Sequence, residues 1–148
     1  MKHTLGGTVL TLWANRLIAG LQTVLLFTQP FLLDWYCRFR VLTDLERTAI
    51  TAAFYACSVV VGIALWNMDC LLRSIRAGQV FIRKNVRCIH AIQWCCGAVG
   101  LICVPAAVCY YPLIFMVIIM GFLCLVVSVV SRVMDAAVSI REENDLTI

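Results

Sequence analysis

At 148 residues, 63% hydrophobic and only 14% charged, the chain has the length of one domain but is too apolar for a soluble one, since soluble domains run about 45–50% apolar and about 25% charged. The formal net charge is only +4, so the charge matters by its placement along a chain whose main solvent is lipid. Nine cysteines would mark a disulfide scaffold in a secreted domain. Here Cys57, Cys95, Cys96, Cys103, Cys109 and Cys124 lie in apolar runs and no C-x-x-C pair occurs, so they read as small packing residues and not as redox or zinc ligands.

The first spanning helix is predicted over 17–35, close to the about 20 apolar residues a crossing needs. Arg16 stands at its inner start, placed to snorkel into headgroups, and Pro30 predicts a kink near the outer end. Residues 1–15 read as a cytoplasmic or interfacial lead-in. Asn15 and Arg16 interrupt the apolar stretch and no small-x-small site follows, so no cleaved signal peptide is expected.

The second helix is predicted over 45–76. Thr43-Asp44-Leu45-Glu46 is a capping box for its start, and Gly78 fits the stop position beyond its end. Ala49, Ala52, Ala53, Ala56 and Cys57 give it a face of small residues, which lets helices approach closely in lipid. The third helix is predicted over 86–108, with His90 and Gln93 near its inner end. Pro105, Tyr110, Tyr111 and Pro112 mark a tight outer turn, with the tyrosines at headgroup depth. The fourth is predicted over 113–140, free of charge from Leu113 to Ser131, and is followed by an acidic tail over 141–148.

These elements predict an all-α, multi-pass membrane protein of one domain over 1–148, with four transmembrane helices in a small bundle. Lys2, Arg16, Arg73, Arg76, Arg83, Lys84, Arg87, Arg132 and Arg141 fall on one side, against Arg38, Arg40 and Arg47 on the other. By the positive-inside rule the richer side, which carries both termini, is expected to be cytoplasmic.

Chemistry is sparse. No nucleophile elbow, metalloprotease helix, phosphate loop or paired carboxylates occur, so no enzyme, catalytic residue or cofactor is expected. His90 has only His3 as a fellow imidazole, and one imidazole makes no metal site. Asp34 and Asp69 are placed at helix ends, whereas proton and ion pathways favour ionisable groups at mid-membrane. Gln22 and Gln93, the deepest polar side chains, read as interhelical hydrogen-bonding groups.

Two stretches carry a family resemblance. One is Leu72-Arg73-Ser74-Ile75-Arg76-Ala77-Gly78-Gln79-Val80-Phe81 with Asn85-Val86-Arg87 and Ile89; the other is Arg141-Glu142-Glu143-Asn144-Asp145-Leu146-Thr147-Ile148. Together they resemble the bacterial membrane family catalogued as domain of unknown function 2975, with its Gly-x-x-Phe and Asn-Val segment and its terminal Glu-x-Asp-Leu-Thr. The chain departs from that pattern at Ile82, where Ser or Thr is usual, and at Lys84, where Glu is usual, so the third helix lacks a side-chain N-cap. The resemblance implies a bacterial cytoplasmic membrane. It carries no established activity, and its members are often encoded beside a small helix-turn-helix regulator of the Cro/C1 type.

The expected interaction surface is therefore cytoplasmic: Arg73, Arg76, Gly78, Phe81, Arg83, Lys84, Asn85 and Arg87 in the basic loop, and Glu142, Glu143, Asp145, Leu146 and Ile148 in the tail. The tail is expected to fold back on the loop, with Leu146 and Ile148 packing on Val80 or Phe81. Expected partners are anionic lipid headgroups and a soluble regulator, without direct contact to nucleic acid. A transporter or permeation subunit, and a structural subunit without ligand, stand as alternatives.

Overall fold

The computed structural model describes residues 2–39, 41–79 and 82–146. Four helices follow one another: α1 (Lys2–Cys37), α2 (Asp44–Arg76), α3 (Arg83–Cys109) and α4 (Leu113–Leu146). Each holds a stretch long and apolar enough to cross a membrane. The shortest, α3, has 27 residues, which at about 1.5 Å per residue spans about 40 Å against a hydrocarbon core of about 30 Å. The ends therefore project beyond the hydrocarbon.

The helices run alternately up and down. At one end α1 meets the last turns of α2, with Asn15 Nδ2 donating to the Leu65 carbonyl at 3.2 Å, and the start of α3 meets the end of α4. At the other end Arg47 pairs with Asp34, and the hydroxyls of Tyr36 and Tyr110 lie 2.8 Å apart. Both chain termini thus share one end, here termed the polar end. The expected bundle is not closed. Among the described residues the backbone of each helix approaches only its sequence neighbours, and α1 does not approach α4. Helices in lipid have no hydrophobic drive to bury their outer faces, so an open row is stable, and large apolar side chains such as Phe27, Phe31, Phe115 and Phe122 remain exposed.

α1 begins at Lys2 and not at the predicted residue 17, which puts Arg16 inside the helix. The hydropathy of 1–15 is lower, but α2 extends past the membrane to Arg76 and offers a packing surface. Leu12 and Asn15 are buried. Toward α2 the helix turns Leu12, Asn15, Ala19, Gln22, Leu26, Gln29, Leu33 and Tyr36, an unbroken alternation of three- and four-residue steps. Pro30 lies inside this helix. It has no N–H for the Leu26 carbonyl four residues earlier, and Tyr55 of α2 donates to that carbonyl instead at 3.4 Å.

α2 starts as its cap predicts. Thr43 is extended, and its N–H donates to Glu46 Oε2 at 2.8 Å. Its end is a Schellman turn: Gly78 N–H donates to the Ile75 carbonyl and Gln79 N–H to the Ser74 carbonyl. Gly78 holds φ at +77°. A Cβ there meets no atom within 4 Å, so the cost of Gly78→Ala is backbone strain alone, about 1–2 kcal/mol. Thermal unfolding in detergent should show that loss, while Ala77→Gly should not repair it.

α3 starts at Arg83 with Ile82 as an uncapped N-cap, and Pro105 lies inside its last turns, not in the turn beyond. The thiols of Cys57 and Cys103 meet at 3.8 Å between α2 and α3. Gly97 and Gly100 face α4, where a Cβ at each would make ordinary contact, 3.7 Å from Cys124 Sγ and 3.6 Å from Met120 Cβ. α4 does not stop at residue 140. The acidic segment continues the helix to Leu146.

Candidate functional site

The polar end of the row gathers most of the chain's charge. Nine of the twelve basic residues belong to it, with Asp69, Asp135, Glu142, Glu143 and Asp145, so the net +4 of the whole chain resides there. The other end balances Arg38, Arg40 and Arg47 against Asp34, Asp44 and Glu46.

Arg83, at the first turn of α3, organises the α3–α4 half. Its Nη2 and Nε reach Glu142 at 2.8 and 3.1 Å in a two-point pair, and Nη1 lies 3.7 Å from Asp135. All three side chains are exposed, so the pair fixes geometry more than it adds stability. The expected attraction between basic loop and acidic tail is thus present, but as far as Leu146 the tail continues α4 and does not fold back. Glu142 meets Arg83 because α4 continues straight alongside the start of α3. One face of α4 carries Ser131, Asp135, Val138 and Glu142, and Val138, between the two acids, is 1% exposed. His90 Nδ1 stands 3.3 Å from Ser131 Oγ on the same seam, a contact between α3 and α4. The contact expected between Leu146 or Ile148 and Val80 or Phe81 lies outside the residues whose side chains are described.

Asn85 is not a surface residue. It is 1% exposed, and its Nδ2 donates to the Gln79 carbonyl at 2.7 Å. Ser74 Oγ donates to the same carbonyl at 3.2 Å. Asn85 therefore ties the chain before α3 to the end of α2. Gly78 shapes that turn and is likewise structural. Arg76, Lys84, Arg87 and Arg132 form no ion pair among the described residues, and they make up the free cationic surface.

The α1–α2 half holds a feature that composition did not reveal. Asn15, Gln22, Gln29 and Tyr36 recur every seven residues on the face of α1 toward α2. Gln22 Nε2 donates to the Ser58 carbonyl at 2.7 Å, the interhelical role expected of it. For Gln93 the link to α4 is its backbone carbonyl, which accepts from Cys124 Sγ at 3.7 Å. The heptad spacing was readable in the sequence, but each residue taken alone is an isolated polar group in an apolar run. Asp69 lies toward the end of α2, where the predicted 45–76 helix places it. It sits seven residues inside α2, 2.5 Å from Arg73 and 3.8 Å from Arg16 of α1.

Beside this seam a cleft of about 330 Å³ opens between α1 and α2, from Arg16, Trp66 and Asp69 down to Leu26 and Ser58. A smaller hollow of about 60 Å³ adjoins it at Arg16 and is walled by Leu12, Trp13 and Arg76. Among the described residues no group of three His, Cys, Asp or Glu side chains converges to hold a metal ion.

The family model described as "Protein of unknown function (DUF2975)" matches residues 13–148. The chain belongs to DUF2975. That match spans all four helices, whereas the motifs noted above cover only the second half. No curated protein and no solved structure matches this DUF2975 chain.

Proposed function

We propose that this protein is a membrane-anchored binding protein, not an enzyme, whose polar end faces the cytoplasm and recruits a soluble partner. The observation that carries the reading is the segregation of charge. The chain's entire net +4 sits at the end holding both termini. There Arg76, Lys84, Arg87 and Arg132 are left free by the described ion pairs, on helix ends braced by Arg83, Glu142 and Asp69. A rigid cationic surface suits an acidic protein face, because complementary potentials speed encounter and fix orientation. A helix-turn-helix regulator encoded beside the gene is the candidate partner that the family resemblance supplies. The same groups also hold anionic headgroups, each worth about 1 kcal/mol. The bacterial cytoplasmic membrane is the setting in which this orientation operates. A permeation role fits less well, since an open row in one copy encloses no central path.

Co-purification from mild detergent tests the reading. The wild-type chain should retain the regulator. The combined variant Arg76→Gln, Lys84→Gln, Arg87→Gln and Arg132→Gln, shown to be folded by its thermal transition, should lose at least tenfold in capture. Undiminished capture by that variant contradicts a charge-based platform. A chain truncated after Ile140 loses Glu142 and the brace on Arg83, and it should also capture less.

A further inference from the structure

We propose that the α1–α2 seam is a binding site for one anionic phospholipid, with its phosphate between Arg16 and Arg76 and one acyl chain in the adjoining cleft. The two cavities meet at Arg16 and differ in character. The small hollow, about 60 Å³, has the size of a phosphate group and is walled by the two guanidinium-bearing side chains with Val9, Leu12 and Trp13. Trp13 is 64% exposed, as suits an aromatic ring at headgroup depth. The cleft, about 330 Å³, continues along α2 from Asp69 to Ser58. The eleven helical steps between them span about 16 Å, about half of a hydrocarbon core of about 30 Å, which is one leaflet.

Charge at the mouth selects an anion. Asp69 is held by Arg73 at 2.5 Å, while Arg16 stands off at 3.8 Å with its side chain 62% exposed. Arg76 has no ion pair among the described residues. Three guanidinium groups against one carboxylate leave the mouth positive, and basic pockets between helices at the membrane surface take lipid headgroups. Arginine matches phosphate geometry with two parallel donors. Below the mouth the cleft suits a chain and not a polar ligand. The amides of Asn15 and Gln22 are turned into α2 by their bonds to the Leu65 and Ser58 carbonyls. Gln22 Oε1 is buried and has no hydrogen-bond partner among the described residues, one polar atom left on the cleft wall. Ala19, Thr23, Leu26, Ser58, Gly62, Leu65 and Trp66 line what remains, with the Thr23 hydroxyl donating back to the Ala19 carbonyl at 2.9 Å. This inference rests on the α1–α2 geometry and shares only Arg76 with the recruitment surface.

The test is native mass spectrometry of the protein released from nanodiscs made with equal amounts of phosphatidylglycerol and phosphatidylcholine. One phosphatidylglycerol should be retained at least tenfold over phosphatidylcholine. Arg76→Gln should abolish most of that preference. Gly62→Leu separates the chain site from the charged surface: a Cβ at Gly62 meets nothing within 4 Å, so the leucine fills the cleft without a clash. Replacing a mid-helix glycine also favours the helix, so this variant should fold while losing lipid retention at least fivefold. Millimolar inorganic phosphate should not displace the lipid. Equal retention of both lipids, or a preference untouched by both variants, would overturn the site as general lipid adhesion. Displacement by phosphate alone would overturn the lipid claim in favour of a free-anion site.

Discussion

Asn85→Leu is expected to lower stability by about 1–3 kcal/mol, the cost of removing a buried hydrogen-bonding partner. The leucine fills the space, but the Gln79 carbonyl loses its 2.7 Å donor. Ser74→Ala, which removes the longer bond to the same carbonyl at 3.2 Å, should cost less, about 0.5–1.5 kcal/mol. Because Asn85 secures the link between α2 and α3, its loss should also loosen the start of α3 and the Arg83 pair. Hydrogen exchange over residues 79–87 should rise in Asn85→Leu. Unchanged exchange and an unchanged thermal transition would mean that Asn85 does not hold this turn.

Val138→Asp should have the larger effect. Val138 is 1% exposed on the α4 face that meets the start of α3. An uncompensated buried charge costs about 3–5 kcal/mol, and this carboxylate would stand three residues from Asp135 and four from Glu142, repelling both. Val138→Ala removes about two methylene equivalents and should cost about 1.5–2.5 kcal/mol with the cavity included. The graded pair separates packing from charge. If Val138→Asp unfolds no more readily than Val138→Ala, the α3–α4 seam at the polar end is not closed in solution. If the seam opens as expected, partner capture should fall with it, since Lys84, Arg87 and Arg132 lie on the two helices it joins.

Features governed by local physics were readable in the sequence. The capping residues Thr43 and Glu46, the left-handed stop at Gly78 and the four apolar spans each depend on a few neighbouring residues. Features set by which helix docks on which were not. α1 runs back to Lys2 because α2 projects beyond the membrane to receive it, and the hydropathy of 1–15 carries no trace of that. Asn85 looks like a loop residue in sequence, but it lies in the first turn of α3 and is buried against the end of α2, where it bonds the Gln79 carbonyl. In lipid an open row and a closed bundle expose similarly apolar faces, so composition does not separate them. Among the site residues, the meeting of Arg83 with Glu142 followed from opposite charges on one side of the membrane. The route was different, because the acidic tail is more helix and not a returning strand of chain. The ladder of Asn15, Gln22, Gln29 and Tyr36 was present as a seven-residue period. It becomes meaningful once polar residues are tested for periodicity as apolar ones are.

The central claim is that the basic, partner-binding end lies in the cytoplasm, and reporter fusions test it most directly. A reporter active only in the cytoplasm, fused after Gly78 or after Ile148, should be active at both positions. One active only outside should report after Tyr111. An external reading after Gly78 or after Ile148, in protein that is stably inserted, would place the cationic platform away from any cytoplasmic partner and contradict the account.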